Sequence, residues 1–135
     1  MRIDELSVGD WVTYDRDTTP VKIMSVYTRA GQQCVVMTDS YYSDGVIGFA
    51  DMINPIPLTV EMLEKNGLEF IDDGNDAIIF LCCDMFWARL CVGDCFWSIG
   101  VHSEDRLDAV MCDVKYVHQL QHALRLAGVG KEIEL

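Results

Sequence analysis

The first part of the chain alternates short apolar runs with polar turns, the pattern expected of half-buried β-strands. Turn residues at 29–32 (RAGQ) and 43–45 (SDG) separate these runs. The pattern predicts strands at residues 11–14, 21–28, 33–39 and 46–52. Short strands at roughly ten-residue spacing favour a small β-barrel. The opening phrase LSVGDWVTY is of the kind that begins SH3-like barrels.

The segment NPIP at residues 54–57 ends this part, because two prolines in three residues stop a strand and stiffen a connector. The phrase LTVEMLEKNG that follows predicts a short helix. Thr59 suits its N-cap and Gly67 its C′ position, and Met62 and Leu63 are expected to be buried. We predict two units, residues 1–54 and residues 55–135, and the sequence leaves open whether they form one compact body.

The second part predicts an antiparallel β-meander followed by a helix. Apolar runs at residues 77–83, 86–92, 95–101 and 107–113 are separated by two tight polar links and one polar loop. With the helix on each side, the order is α-β-β-β-β-α. The predicted fold class is α+β, with a small SH3-like barrel before this meander and a C-terminal amphipathic helix packed on it.

The last residues, KYVHQLQHALRLAGVGKEIEL, carry the clearest helical period. One apolar stripe is predicted to be buried, and its members are Val117, Leu120, Leu124 and Ala127. Asp113 suits the N-cap, and Gly128 suits the C′ position. The final phrase KEIEL suits a short edge strand.

His118, His122 and Arg125 lie on another side of this helix, with Lys115 and Gln119 beside them. Such a stripe is a solvated or partner-facing surface, or half of a tetrahedral metal site, and the first interpretation is favoured because two histidines cannot complete a site. A positive spot on an acidic chain suits an anionic group. We therefore predict that this helix face binds the ligand or partner.

Aromatic residues on the meander give a second candidate surface. Trp87 and Trp97 lie on neighbouring predicted strands and suit cross-strand packing or a platform for a planar ligand. Tyr41 and Tyr42 precede a turn, where a partner would meet them. Apolar residues on both faces of the meander exceed what one helix covers, which predicts a homo-oligomer, most simply a twofold dimer.

The formal net charge of −12 changes the choice of partner. Direct binding to nucleic acid is disfavoured, because neither half of the chain has a basic run that would neutralise phosphates. An acidic surface suits a basic protein partner. No segment has the length of a membrane span, and the acidic first residues do not suit a signal peptide, so a cytoplasmic protein is expected.

The six cysteines are predicted to be reduced and structural, since five fall in apolar runs where a free thiol behaves as a small hydrophobe. A Cys112 nucleophile beside His118 is the one catalytic pair considered, and a buried strand position argues against it. The acidic run at residues 72–76 is interpreted as a turn rather than a calcium loop. No common catalytic motif is present. We predict a protein that is not an enzyme and that uses no metal or cofactor.

The phrases YSDGVIGFADMINPIPLT and VKYVHQLQHALRLAG…KEIEL resemble an uncharacterised family of small proteins from phages and mobile elements of gut bacteria. That family has no agreed activity, so the resemblance transfers no functional residue. It implies a context in which small acidic proteins bind a host component. Two hypotheses follow: a protein-binding module, such as an inhibitor of a host defence enzyme, or a small-molecule binder that sequesters a nucleotide-like signal.

Overall fold

The computed structural model describes residues 5–38, 45–71, 77–82, 86–91, 93, 95–101 and 109–135. The backbone forms two compact units, Met1–Ile56 together with Leu135, and Pro57–Glu134. Each unit is built on one antiparallel sheet of five strands, so the fold class is α+β, as predicted. None of the helices in the described ranges is long and apolar enough to cross a membrane.

The first sheet contains all four strands that the alternating pattern predicts, together with one that it does not. Its strand order is β4-β3-β2-β1-β5. The strands are β1 (Trp11–Tyr14), β2 (Val21–Arg29), β3 (Gln32–Thr38), β4 (Val46–Phe49) and β5 (Ile53–Pro55). Its buried core is Leu6, Val12, Ile23, Val35, Met37 and Ile53.

Two details of this sheet differ from the prediction. The predicted strand at residues 46–52 ends at Phe49, and a 3-10 turn, Ala50–Met52, follows it. The chain then pairs with β1 as β5, inside the segment that was predicted to be a connector. Pro55 is tolerated there because β5 is an edge strand. Within the described residues β4 pairs only with β3 and β5 only with β1, so the sheet is not a closed barrel.

The turn between β2 and β3 is a two-residue hairpin loop. Ala30 and Gly31 are its two loop residues, with φ values of 50° and 78°. Two positive φ values in a two-residue hairpin loop define a type I′ turn, whose twist matches that of the flanking strands. The turn fixes the register in which Arg29 pairs with Gln32.

The second unit begins with α1 (Val60–Lys65), whose predicted ends are confirmed. The Thr59 hydroxyl accepts a hydrogen bond from the Met62 N–H at 3.3 Å. Gly67 has a φ of 74°, and the Leu68 N–H donates to the Leu63 carbonyl at 3.1 Å, which closes the helix. Leu63 is fully buried and Met62 is half-buried.

The second sheet is a meander of sequential neighbours, in the order β10-β9-β8-β7-β6. The four predicted strands are present, and a three-residue strand that was not predicted, β6, precedes them. Too short to show an alternating period, β6 leaves no clear signal in the sequence. The elements are β6 (Glu69–Ile71), β7 (Ala77–Cys82), β8 (Phe86–Cys91), β9 (Trp97–Val101), β10 (Ala109–Val114) and the helix α2 (Val117–Leu126).

The register of this sheet places its largest buried side chains on one face. Phe80 pairs with Ala88, Ala88 with Ile99, and Trp97 with Val114. Directly paired residues share a face, and all of these residues are buried.

The predicted apolar stripe of α2 is confirmed at Val117, Leu120 and Leu124, which are also buried.

Candidate functional site

The predicted site helix begins three residues later than its predicted cap implies. Asp113 is still part of β10, where its carboxylate accepts a hydrogen bond from the Ser98 hydroxyl at 3.1 Å. Tyr116 is the N-cap residue of α2. The Gln119 carbonyl oxygen accepts from the N–H groups of Lys115 and Tyr116, at 2.8 and 3.2 Å. Gln119 was predicted as a contact residue, and the structure uses its amide to close the start of the helix.

The end of α2 is the one predicted from its glycine. Gly128 has a φ of 75°, its N–H donates to the Arg125 carbonyl at 3.1 Å, and the Val129 N–H donates to the Leu124 carbonyl at 2.9 Å. These two bonds form a Schellman motif, which satisfies carbonyls that the helix leaves open. The chain therefore leaves the helix in a fixed direction.

His118 does not lie on the solvated side, and that expectation is wrong. Its side chain is 3% exposed. Its ring stacks on Tyr116 with centroids 5.9 Å apart and meets His122 edge-on at 5.7 Å. His118 is therefore a buried residue that packs between the rings of Tyr116 and His122. His122 is half-buried.

The two cations of the predicted face remain exposed. Arg125 forms an ion pair with Glu132 at 3.2 Å. Lys115 precedes the helix, and its backbone is held by Gln119 and by the Leu58 N–H. The predicted stripe therefore separates into a buried histidine, a half-buried histidine, a capping glutamine and two exposed cations.

Trp87 and Trp97 do not form one aromatic platform. Trp87 pairs with Gly100 on the face opposite to Phe80 and Ile99, whereas Trp97 is buried beside Phe80 with ring centroids 6.1 Å apart. Trp97 is thus a core residue. Trp87 is half-buried, and its indole N–H is buried with no hydrogen-bond acceptor among the described residues.

Several predicted features lie outside the described residues. These are Tyr41 and Tyr42 and the acidic turn at residues 72–76.

Cys34, Cys95 and Cys112 are free thiols, and of these three only Cys34 is buried. Cys34 is buried as predicted, whereas Cys95 and Cys112 are exposed, which corrects the expectation of a buried Cys112. Partial burial raises the pKa of the Cys112 thiol above its ordinary value, and the neighbouring Asp113 carboxylate raises it further. A raised thiol pKa lowers the thiolate fraction at neutral pH, which disfavours a Cys112 nucleophile.

A surface that was not predicted lies on the outer face of β2, β3 and β4. Ile47 is 63% exposed, Met24 46% and Phe49 45%. Ile47 pairs with Val36 on this face, and a Cβ built at Gly45 would meet the side chains of both Val36 and Met24. We call Met24, Val36, Ile47 and Phe49 the outer patch. Clusters of exposed apolar residues of this kind mark interaction sites.

Among the described residues no strand pairs with the second edge of β4, the strand that carries half of this patch, and we call this edge the open edge. The Phe49 N–H donates to the Tyr14 hydroxyl at 3.3 Å, so it points away from β3. Backbone groups alternate in direction along an antiparallel strand. The N–H and C=O of Ile47, two residues earlier, therefore also point away from β3, towards the open edge of the sheet.

A hollow of about 380 Å³ lies beside the patch at the end of β4. Phe49, Asp51 and Gln33 are among its lining residues. Asp51 is exposed, and no ion pair to it is formed within the described ranges. The hollow therefore presents a carboxylate next to an apolar side chain.

The sequence of β4 is compatible with an exposed apolar surface but does not by itself indicate one. VIGF is apolar at four successive positions, which fits a strand buried on both faces as well as one exposed on one face. Periodicity does not distinguish the two. The decision depends on whether another layer packs on the outer face of the sheet.

The second unit has a cavity of about 840 Å³, lined by the ends of β7, β8 and β9 and by residues 127–131. Phe86 and Val101 form apolar parts of its wall, and Lys131 contributes a cation.

In the part of the chain that the structure describes, no group of three or more His, Cys, Asp or Glu residues is placed to hold a metal ion.

Comparison of the chain with protein-family models, with curated proteins and with solved structures finds no match.

Proposed function

We propose that the protein is a non-enzymatic binding protein, encoded by a phage or mobile element, that acts in the host cytoplasm by contact with a host protein. The observation that carries this proposal is the outer patch. Its three most exposed members lie on two strands of one sheet, next to an open strand edge. Inhibition of a host defence enzyme is the form of action that the phage resemblance suggests.

The charge of the chain supports a protein partner of basic character. A net charge of −12 favours encounter with a positive surface and disfavours phosphate backbones. The outer patch supplies apolar area, which is the main source of stability in most protein complexes. In this proposal the negative charge favours a basic partner, and the outer patch supplies the apolar area that the partner covers.

The patch is tested by identifying the partner and measuring its affinity. The tagged chain is expressed in the bacterial host, crosslinked and purified, and the partner is identified by mass spectrometry. Ile47→Asp combined with Phe49→Asp should weaken binding of the purified partner by at least about tenfold, since truncation of a central contact commonly costs that much. Leu126→Asp is the matched control, because Leu126 is an isolated side chain that is 84% exposed on α2.

Normal binding by the patch variant would place the contact elsewhere. The first alternative is then the helix surface of Lys115, His122 and Arg125, which the sequence predicted. His118 is left out of that variant, because it is buried and its loss would confuse folding with binding.

A second candidate function is the capture of a nucleotide-like small molecule. The specific observation in its favour is the cavity of about 840 Å³ beside Lys131, a volume within the range of small-molecule sites. A thermal-shift screen with cyclic and linear nucleotides tests it, because a ligand that binds the folded state raises the melting temperature. Lys131→Glu should abolish any such shift, because Lys131 is the cation that lines the cavity, and a flat response to the whole panel would reject this function.

We also propose that the first unit is an open SH3-like sheet. The strand order β4-β3-β2-β1-β5 and the 3-10 turn between β4 and β5 support this arrangement. The Tyr14 side chain bridges β1 and β4, where a closed barrel would have backbone pairing.

A further inference from the structure

We propose that β4 accepts an extended segment of the partner as an added antiparallel strand, and that this segment has an apolar centre with lysine or arginine at its ends. The inference depends on the proposed function, because it specifies the partner chemistry and the binding mode at the outer patch. It identifies Ile47 as the residue at the middle of the added pairing.

The backbone of β4 is arranged for such an addition. Ile47 directs both its N–H and its C=O to the open edge, as the Phe49 N–H···Tyr14 bond requires. A strand placed there would exchange two hydrogen bonds with Ile47, as in the peptide-binding domains that extend a sheet. Nothing in the existing β3–β4 pairing would have to break.

The side chains of β4 determine which residues of the added strand contact the outer patch. Directly paired residues lie on the same face of a sheet. A residue opposite Ile47 therefore joins the outer patch, and so does each second residue before and after it. These positions favour valine, isoleucine or leucine, whereas the intervening positions are free to be polar.

Charge at the ends of β4 favours a basic segment. Asp51 lies just beyond the strand and lines the hollow of about 380 Å³ next to Phe49. Asp44 precedes the strand in the sequence. A lysine or arginine at the end of an added strand would reach the Asp51 carboxylate from the hollow, and its methylene groups would pack on Phe49.

The same acidic ends disfavour a second copy of this chain as the occupant. In antiparallel pairing of two β4 strands, the residues after one strand run beside the residues before the other, and in the sequence both stretches carry an aspartate, Asp51 and Asp44. Like charges placed together across a pairing are destabilising.

The test titrates the 15N-labelled full chain with the synthetic peptide KKVTITVKK and follows the backbone amide signals by NMR. The amide of Ile47 should shift and gain protection from hydrogen exchange. In antiparallel pairing with the central isoleucine opposite Ile47, the side chains of the odd-numbered peptide residues lie on the face of the outer patch, and the N–H groups of these residues point at β4. N-methylation of the central isoleucine should therefore abolish binding, whereas N-methylation of the adjacent threonine should change the affinity by less than about twofold.

Charge is tested on the same assay. The peptide EEVTITVEE should bind at least about tenfold more weakly than KKVTITVKK, and the difference should shrink as salt is added. Asp51→Lys should reverse the preference between the two peptides. Ile47→Pro removes the donor at the edge while leaving the β3 pairing intact, and it should reduce binding of KKVTITVKK to the level of the methylated control.

The outcomes separate this inference from the function on which it depends. If outer-patch side-chain variants lose the partner but Ile47→Pro and both methylated peptides bind alike, the patch acts without an added strand and the inference is overturned. If the chain alone has twice its monomer mass and Ile47→Pro restores the monomer, the occupant of β4 is a second copy. Equal binding of the lysine and glutamate peptides would overturn the charge assignment.

Discussion

At the scale of single residues, Gly48 shows how one missing side chain organises the first sheet. A Cβ at this position would lie 2.5 Å from Cε2 of Tyr14 and 2.7 Å from Cε of Met37. The Tyr14 ring therefore packs directly on the backbone of β4. From there its hydroxyl donates to Met52 Sδ at 3.4 Å and accepts from the Phe49 N–H.

We expect Gly48→Ala to lower the free energy of unfolding by about 1–3 kcal/mol, because an added methyl would force the Tyr14 ring out of place. Urea denaturation measures this change. Gly130→Ala is the matched control, since a Cβ there meets no atom within 4 Å and should leave stability nearly unchanged. Combining Gly48→Ala with Tyr14→Ser should cost less than the sum of the two single changes, and strict additivity would contradict the contact.

Cys112 gives a prediction about pH. Partial burial and the adjacent Asp113 carboxylate raise the pKa of its thiol, so the thiolate appears only at higher pH than for a free cysteine. In a variant that retains Cys112 as the sole cysteine, the rate of alkylation by iodoacetamide should rise with pH and reach half its maximum above the ordinary thiol range. Asp113→Asn should move this midpoint down, and an unchanged midpoint would remove Asp113 as a cause.

At the scale of elements, the C-terminal tail is held by two side-chain amides rather than by strand pairing. Gln121 accepts from the Ile133 N–H at 2.6 Å and donates to the Lys131 carbonyl at 3.1 Å. Asn66 does the same for the N–H and carbonyl of Glu134, each at 2.8 Å. The phrase KEIEL was predicted to be an edge strand, and that prediction is wrong. Each amide nevertheless reproduces the two-point bonding of a strand.

The tail should therefore contribute to stability out of proportion to its length. Ile133 is 1% exposed, and Ile133→Ala should cost about 2–5 kcal/mol in urea denaturation, as for other buried isoleucines. Gln121→Met should cost about 1–3 kcal/mol, because it removes the hydrogen bonds to the buried Ile133 N–H and to the partly buried Lys131 carbonyl. Gln32→Met, at an exposed position of β3, is the control expected to be nearly neutral. A tail that could be removed without loss of stability would contradict this account.

At the scale of the whole molecule, the homo-oligomer stays a prediction. The face of the second sheet that carries Trp87 also carries Ile79 and Leu81, all half-buried, and within the described ranges the Trp87 indole N–H has no acceptor. Burial of this face in a twofold interface would cover apolar area on both copies. Light scattering at micromolar concentration should give twice the monomer mass of 15.3 kDa. A mass of 15.3 kDa would end the prediction, and Ile47→Pro should not alter the dimer, because β4 is not part of it.

Local chemistry determined most of the secondary structure. The helix ends at Gly67 and Gly128, the cap at Thr59 and the turn at Ala30-Gly31 each depend on interactions within a few residues, so the sequence alone predicts them. The two-unit division, the meander and the α+β class follow from apolar runs and from the prolines between them. Two short strands, β5 and β6, were missed because three residues are too few to show a period.

Tertiary structure alone decided which of the candidate side chains are available for binding. Helical spacing placed His118, His122 and Arg125 on one stripe, but it does not say what packs on that stripe, and His118 is buried. Strand alternation gives each Trp a face but not the register between strands, so it could not separate Trp87 from Trp97. The outer patch has the same origin: VIGF is apolar in either case, and the exposure of Ile47 and Phe49 depends on what packs on the outer face of the sheet. Burial depends on neighbours that are distant in the sequence, and a local pattern carries no record of them.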